Sequence, residues 1–302
     1  MDIKKKGVLH MKESEKILKE LMKHLDSLEI ETEEELNEET QKFIDKLNKE
    51  EINFDDTPEY ESDELLEEAY EAETEKEARS LAKKALEVYP DNIDAQVFLA
   101  NMEKNPVNRL KQLDWAIEKA RKILEEEDLF EEDNIGHFWG IIETRPYMRA
   151  RNSKLQELMI LGRYKEAVKE SEELLKLCEN DNMGVRSLLM GLYCYFEEFD
   201  KGEKLHEQYK EDDTISMLFP MTIMYYKKGD YRKAEKLLNE IDEKNSFIAD
   251  YCVGQVENEI EEDPEYYSLG SQEEAYITFK ENFYLIASLP SFINFVAEKL
   301  YI

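Results

Sequence analysis

The feature that most restricts this chain is a recurring three-part pattern: a turn residue, an aromatic two positions later, and a small residue three positions after that. Leu161-Gly162-Arg163-Tyr164 leads to Ala167, Glu197-Glu198-Phe199 to Gly202, and Lys228-Gly229-Asp230-Tyr231 to Ala234. The aromatics are separated by 35 residues (199 − 164) and 32 residues (231 − 199), which is the period of stacked helix pairs. The physics fits the pattern. Glycine turns the chain between antiparallel helices, the aromatic packs the corner, and the small residue lets the helices touch. Two departures stand out. The middle unit lacks the turn glycine and has Gly202 where its neighbours have alanine, and Pro220 falls within the first helix of the third unit, which must therefore start late or kink.

Upstream the same chemistry appears in weaker form. Ala78, Ala82 and Ala85 precede Pro90, and Ala95, Leu99 and Ala100 follow it. Small residues stand where two helices must approach, and the proline ends the second of them. Ala116, Ala120 and Ile123 repeat the spacing before an acidic turn at residues 125–133. Helix formers dominate, with 10 Gly and 7 Pro in 302 residues, so the chain reads as all-α. Apolar stripes predict helices over residues 12–28 and 33–47, with Asp55, Asp56 and Pro58 breaking the chain between them and the rest. The acids from Glu59 to Glu77 read as a solvated helix face over the buried stripe of Leu65, Leu66, Ala69 and Tyr70. A docking surface for a basic partner is the sharper alternative.

Beyond Glu261 the period fails. Asp263-Pro264-Glu265 is a turn, Ser271-x-x-Glu274 a capping box, and Pro290 opens a last helix carrying Phe292, Phe295 and Leu300. An array of repeats needs a non-standard end to cover its last apolar face. The expected organisation is an N-terminal helical appendage (1–58), a first repeat block (59–128), a central irregular insert (129–150), further repeats (151–260) and a C-terminal helical cap (261–302).

Several strings together carry a resemblance: H-F-W-G-x-x-E-T-R-P-Y-M-R-A-R from His137, L-G-R-Y-x-E-A-V from Leu161, E-N-D-N-M-G-V-R from Glu179, and Y-Y-S-L-G-S-Q-E-E-A from Tyr266. Over residues 60 to 296 the chain resembles bacterial tetratricopeptide-repeat (TPR) proteins of unknown function, near the suppressor-of-tumorigenicity family of repeat proteins. The resemblance implies a TPR-like right-handed array of antiparallel helix pairs and a protein- or peptide-binding scaffold, and it brings no enzyme activity with it. Cys178-Glu179 stands where such repeats usually place an asparagine-proline turn.

The candidate site is the insert and the helix after it. If Thr144 caps that helix, Arg145 and Pro146 fill its first turn and Arg149 shares a face with Arg145. Arginine opposes the macrodipole there, so an acid partner or a bound anion is expected. Residues 144–170 hold seven basic and three acidic side chains, an excess of +4 in a chain of net charge −32. Two readings follow. Either Glu143, Asp181 or another acid pairs with the arginines and pins the insert, or the arginines hold a ligand carboxylate with Trp139 and Tyr147 as an apolar wall. The ligand reading gathers His137, Trp139, Glu143, Arg145, Tyr147, Arg149, Asn182 and Arg186 around one groove.

Charge and missing motifs exclude other classes. A chain of 40 basic and 72 acidic residues repels nucleic acid and anionic membranes and favours a basic or neutral partner. His10, His24, His137 and His206 are scattered, no cysteines are paired as C-x-x-C, and no glycine-rich loop or nucleophile elbow appears. The expectation is therefore no enzyme, no metal and no cofactor. The alternative is a small ligand-sensing or catalytic protein built on His137, Glu143, Arg145, Tyr147 and Arg149. Cys178, Cys194 and Cys252 in apolar contexts, with no apolar run long enough for a signal peptide or a membrane span, predict a cytoplasmic protein with reduced thiols.

Overall fold

Helix starts in this chain are set by short polar side chains. Thr32, Thr57, Thr74, Asn92, Asn105, Asp230 and Ser271 each accept a hydrogen bond from a backbone N–H in the first turn that follows, which satisfies donors the helix itself cannot use. A computed structural model describes residues 15–301 apart from 26, 29, 31, 50–56, 258–259, 261–262 and 265. The basic N-terminal stretch, the first residues of the 12–28 helix, the breakers Asp55 and Asp56, and Glu265 lie outside the described residues. Among those described, the fold is all-α and free of strand, with helices packed in neighbouring pairs. No helix among them is long and apolar enough to cross a membrane.

The chain divides into two units, Met1–Glu157 and Leu158–Ile302. The first contains α1 (15–25), α2 (Glu33–Asn48), α3 (Pro58–Glu71), α4 (Glu75–Val88), α5 (Ile93–Asn101) and α6 (Pro106–Glu126). Three 3-10 turns follow at Glu132–Asn134, Phe138–Gly140 and Ile142–Thr144, and then α7 (Arg145–Ile160), which begins in this unit. Helices α3 to α6 pack in sequence order. Their core is the small-residue set read from the sequence: Ala69, Ala82, Ala85 and Ala95 are buried with Leu66, and Leu65, Tyr70, Phe98 and Leu99 lean on them. The serine in this interface is also satisfied. Ser62 donates to the Ala85 carbonyl at 2.8 Å and accepts from Asn92 at 2.9 Å, so no buried hydroxyl is stranded between the helices.

The second unit carries α8 (Tyr164–Leu177), α9 (Val185–Phe196), α10 (Phe199–Gln208), α11 (Ile215–Lys228), α12 (Tyr231–Lys244), α13 (Phe247–Val253), α14 (Gln272–Ala287) and α15 (Pro290–Leu300). The three-part pattern marks the turns before α8, α10 and α12. Gly202 belongs to a close approach, since a Cβ there would sit 2.5 Å from the Met224 sulfur. Pro220 lies inside α11, so the helix neither starts late nor stops at it. Cys178, Cys194 and Cys252 are buried free thiols, and burial pushes those of Cys194 and Cys252 up to about 12.

Gly162 and Gly229 adopt left-handed φ of 66° and 82°, and Glu197 at the same place in the middle unit does so at 61°. The backbone of the turn is thus preserved without its glycine, at a cost of about 1–2 kcal/mol for a residue with a Cβ. Glu197→Gly is expected to stabilise the protein by about 1 kcal/mol after glycine's own entropy cost is deducted. The lost exposed pair with Lys227 at 3.3 Å counts for little. A rise in Tm checks this, and an unchanged or lower Tm would show that the turn holds no strain.

Candidate functional site

Thr144 ends the last 3-10 turn and α7 begins at Arg145, with Pro146 in its first turn. The Thr144 hydroxyl, however, points back into the insert. It donates to the carbonyls of Phe138 and Ile141, so the residue locks the two 3-10 turns together instead of capping the helix with its oxygen. Phe138 is fully buried and meets Phe130 and Tyr147 edge-on, at ring separations of 5.1 and 6.4 Å. Tyr147 is therefore core, and its hydroxyl accepts from Arg151 at 3.1 Å.

The two arginines have found acids. Arg149 forms a two-pronged bond to Asp94, Nε to Oδ1 at 2.8 Å and Nη2 to Oδ2 at 2.7 Å, and its Nη1 reaches Glu15 at 2.7 Å. Arg145 approaches the same Glu15 at 3.4 Å, donates to the Trp139 carbonyl at 2.9 Å, and lies 5.6 Å from the centre of the Trp139 ring. Burial works against the charge of Arg149, but Asp94 and then Glu15 outweigh it and hold its pKa above the ordinary value. The expected acid partner is thus present, and it is neither Glu143 nor Asp181. Part of the remaining local basic excess is also engaged, with Lys154 on Asp114 at 2.7 Å and Arg163 on Glu166.

Beside this network the first unit encloses a cavity of about 340 Å³ between α1, α3, the start of α5, the end of α6 and the start of α7. Tyr147, Arg149 and Glu143 line it, together with Tyr60, Tyr89 and Glu127. The cavity also takes in Lys19, which is bonded to Glu59. Two of its acids are left over. Neither the Glu127 nor the Glu143 carboxylate makes a hydrogen bond or ion pair among the described residues, and both residues are exposed at the rim. Burial, then the charges of Glu143 and Glu59, push the Glu127 carboxyl above its usual range, and Lys19 pulls the other way. Burial and the surrounding acids Glu59, Asp91, Glu127 and Asp63 likewise raise the Tyr89 phenol. The cavity carries seven acids (Glu15, Glu59, Asp63, Asp91, Asp94, Glu127 and Glu143) against four bases (Lys16, Lys19, Lys23 and Arg149), so negative charge is in excess there.

His137 is exposed, and neither it nor Trp139 nor Arg145 lines the cavity, although Arg145 and Trp139 touch each other. Asn182 and Arg186 belong to the second unit. There Asp181 caps α9 by accepting from the N–H groups of Val185 and Arg186 at 2.7 and 2.9 Å. Arg186 sits on Asp212 at 2.7 Å and 4.9 Å from the centre of the Tyr209 ring, while Asn182 accepts from the Cys178 thiol. Sequence reasoning missed Glu15, Asp94 and Glu127. Asp94 had left a signal: it is the one charged residue in the otherwise uncharged helix I-D-A-Q-V-F-L-A-N, where a buried carboxylate demands a cation. Among the described residues, no group of three His, Cys, Asp or Glu side chains is placed to hold a metal ion. No protein-family model matches the chain, and no curated protein matches it.

Arg149→Ala strands Asp94 and Glu15 in a buried position and is expected to cost about 3 kcal/mol, measured by urea denaturation. Adding Asp94→Asn to that variant should recover part of the loss, because the uncompensated charge is then removed. A loss below about 1 kcal/mol would mean the network is solvated.

Proposed function

We propose that the protein is a non-catalytic binding scaffold of the TPR type, whose first-unit cavity receives a lysine or arginine side chain of a basic protein or peptide. One observation carries this reading. The cavity's arginine is bonded to Glu15 and Asp94, while the carboxylates of Glu127 and Glu143 stand at the rim without an ion-pair partner among the described residues. A ligand carboxylate would meet no free guanidinium there and would be repelled by both rim acids. A cationic side chain would meet two carboxylates and the ring of Tyr89, the Tyr60 ring being already covered by Lys16 and Lys23, with a volume that suits one long side chain or two.

The net charge of −32 supports the same partner class through steering, and so does the resemblance to TPR scaffolds. A cytoplasmic setting agrees with three buried free thiols. The catalytic alternative draws no support from the arrangement, because His137 stands outside the cavity that holds Glu143 and Tyr147.

The test uses the full chain and an acetylated, amidated Lys-Ala decapeptide, with its Glu-Ala counterpart as control, by isothermal titration calorimetry. The basic peptide is expected to bind, and Glu127→Gln with Glu143→Gln to weaken it about tenfold, which is about 1.4 kcal/mol. Equal affinity for the double variant would show adsorption to a generally acidic surface. Binding that instead requires a free peptide C-terminus would favour the carboxylate reading. A bound cation lowers the raised pKa of Glu127, so affinity is also expected to fall as the pH drops through the acid range and Glu127 becomes neutral.

A further inference from the structure

The N-terminal appendage of the first unit docks by the opposite face from the one an amphipathic helix normally buries. Glu15, Lys16, Lys19, Glu20 and Lys23 recur at the spacing of one helix face, and that face turns inward. Glu15 holds Arg149, Lys16 and Lys19 reach Glu64 and Glu59, Glu20 accepts from Tyr60, and Lys23 lies over the Tyr60 ring. Ile17, Leu18, Leu21 and Leu25 share the opposite face, and Leu28 continues it just beyond the helix. None of these five is buried, and the one buried residue of α1 is the carboxylate Glu15. Charges thus dock α1 onto α3 and α7, and its apolar stripe is turned away from them.

Helix α2 covers that stripe only in part. It meets α1 through Phe43, whose ring centre lies 5.8 Å from that of His24, and through Glu39, 3.5 Å from the His24 Nε2. Phe43 is the one buried residue of α2. Leu36, Ile44 and Leu47 stand on the same helical stripe as Phe43, yet Leu36 and Ile44 are 40% and 39% exposed, and Leu28 is 37% exposed. From Leu36 to Leu47 the strip runs for about three turns, roughly 16 Å, the length of a short docked helix. Acids surround it. Helix α2 carries Glu33, Glu34, Glu35, Glu38, Glu39 and Asp45 against Lys42 and Lys46. Glu33, Glu34 and Glu38 make no ion pair among the described residues.

We propose that the α1 and α2 appendage is a docking surface for an amphipathic helix of a partner protein, with aliphatic side chains at i, i+3, i+4 and i+7 and lysine or arginine along its edges. Charge complementarity selects this occupant. A second copy of the chain would bring the same acidic helix against itself, and an anionic bilayer would meet the same repulsion. A helix with basic edges is instead drawn in by the acids of α2, and its apolar face leaves water against Leu36, Ile44 and the stripe of α1. The strip uses the side of α1 that faces away from the basic-peptide cavity, so the inference stands whether or not that cavity binds its ligand.

The test uses the full chain and a fluorescein-labelled, amidated peptide, Leu-Lys-Lys-Leu-Leu-Lys-Leu twice over, followed by anisotropy. A shuffled peptide of the same composition, without the helical period, is the control. The helical peptide is expected to bind at least about tenfold more tightly than the shuffled one. Leu36→Gln with Ile44→Gln, which leaves Phe43 to hold α2 on α1, is expected to weaken the helical peptide at least about tenfold. The Lys-Ala decapeptide has no apolar face and is expected to be indifferent to the two substitutions. Equal binding of the helical and shuffled peptides would report adsorption to an acidic surface and overturns the proposal, as does an unchanged affinity in the variant. Sedimentation that shows a dimer dissolved by the two substitutions would assign the strip to a second copy. A gain of about tenfold on deleting residues 1–14 would assign it to the chain's own N-terminus, and either result overturns the partner proposed. If the variant loses its helical circular dichroism, hydrogen exchange on the wild-type protein decides. The helical peptide is then expected to slow the amides of α1 and α2 at least about tenfold, and unchanged exchange there overturns the proposal.

Discussion

A guanidinium with little access to water, gripped by two carboxylates, sets the geometry of the first unit. Asp94 lies 55 residues before Arg149 and Glu15 134 residues before it, and the three side chains meet on α5, α7 and α1. A charge so placed is tolerated only when its partners are close and well directed, and the two-pronged bond to Asp94 fixes the direction of approach as well as the distance. The other ties of α1 run to α3: Lys16 reaches Glu64 at 3.3 Å, Lys19 reaches Glu59 at 2.5 Å, and Tyr60 donates to Glu20 at 2.7 Å. The helix that walls the cavity is therefore held to α5 and α7 through Glu15 and to α3 through Lys16, Lys19 and Glu20.

The same network decides which charge the cavity seeks. Sequence alone shows a basic excess around the start of α7 and invites an anionic ligand. In the fold, Arg145, Arg149 and Lys154 sit on carboxylates from outside that stretch, so the charge at the start of α7 is neutralised and the surplus acidity of the chain reappears at Glu127 and Glu143. A count of charges along the chain differs from a count in space. Residues such as Glu15, Asp94 and Asp114 enter the second count and are missing from the first.

How much could be read in advance follows from that distinction. The helix pairs were legible because periodicity and small-residue spacing are local: Ala82, Ala85, Ala95, Ala167 and Ala234 stand where close packing was expected, and the turn aromatics mark helix starts. The start of α7 at Arg145 was equally plain from Thr144 and Pro146. The role of Thr144 was not, because its hydroxyl answers to carbonyls of the insert whose conformation no propensity encodes. The partners of Arg149 were hidden for a different reason. Long-range ion pairs leave no spacing in a single sequence, and Asp94 alone betrayed itself, by being charged in an apolar helix. Glu197 teaches the converse, since the middle unit departs from the pattern by lacking the turn glycine and the structure nevertheless keeps the left-handed turn.

The end of the second unit depends on a further constraint. A stack of helix pairs always leaves one apolar face uncovered at its end, and a helix that covers it permanently does best with a wholly apolar seam, because each buried aliphatic side chain adds to its hold. Helix α15 follows that rule: Phe292, Phe295 and Val296 are buried, and Phe292 and Phe295 meet Tyr226 of α11 ring to ring. Helix α14 does not. It buries Thr278 and Asn282 among its aliphatics and leaves Phe283 half exposed. What that seam gives up in apolar area is offset by rings and charges: Tyr284 meets Tyr195 of α9 at 5.7 Å, Phe279 stacks on Tyr251 of α13 at 5.6 Å, and Lys280 bonds Asp263 at 2.6 Å. The cap thus divides into one helix held by apolar burial and one held by aromatic contacts and polar ties along its length.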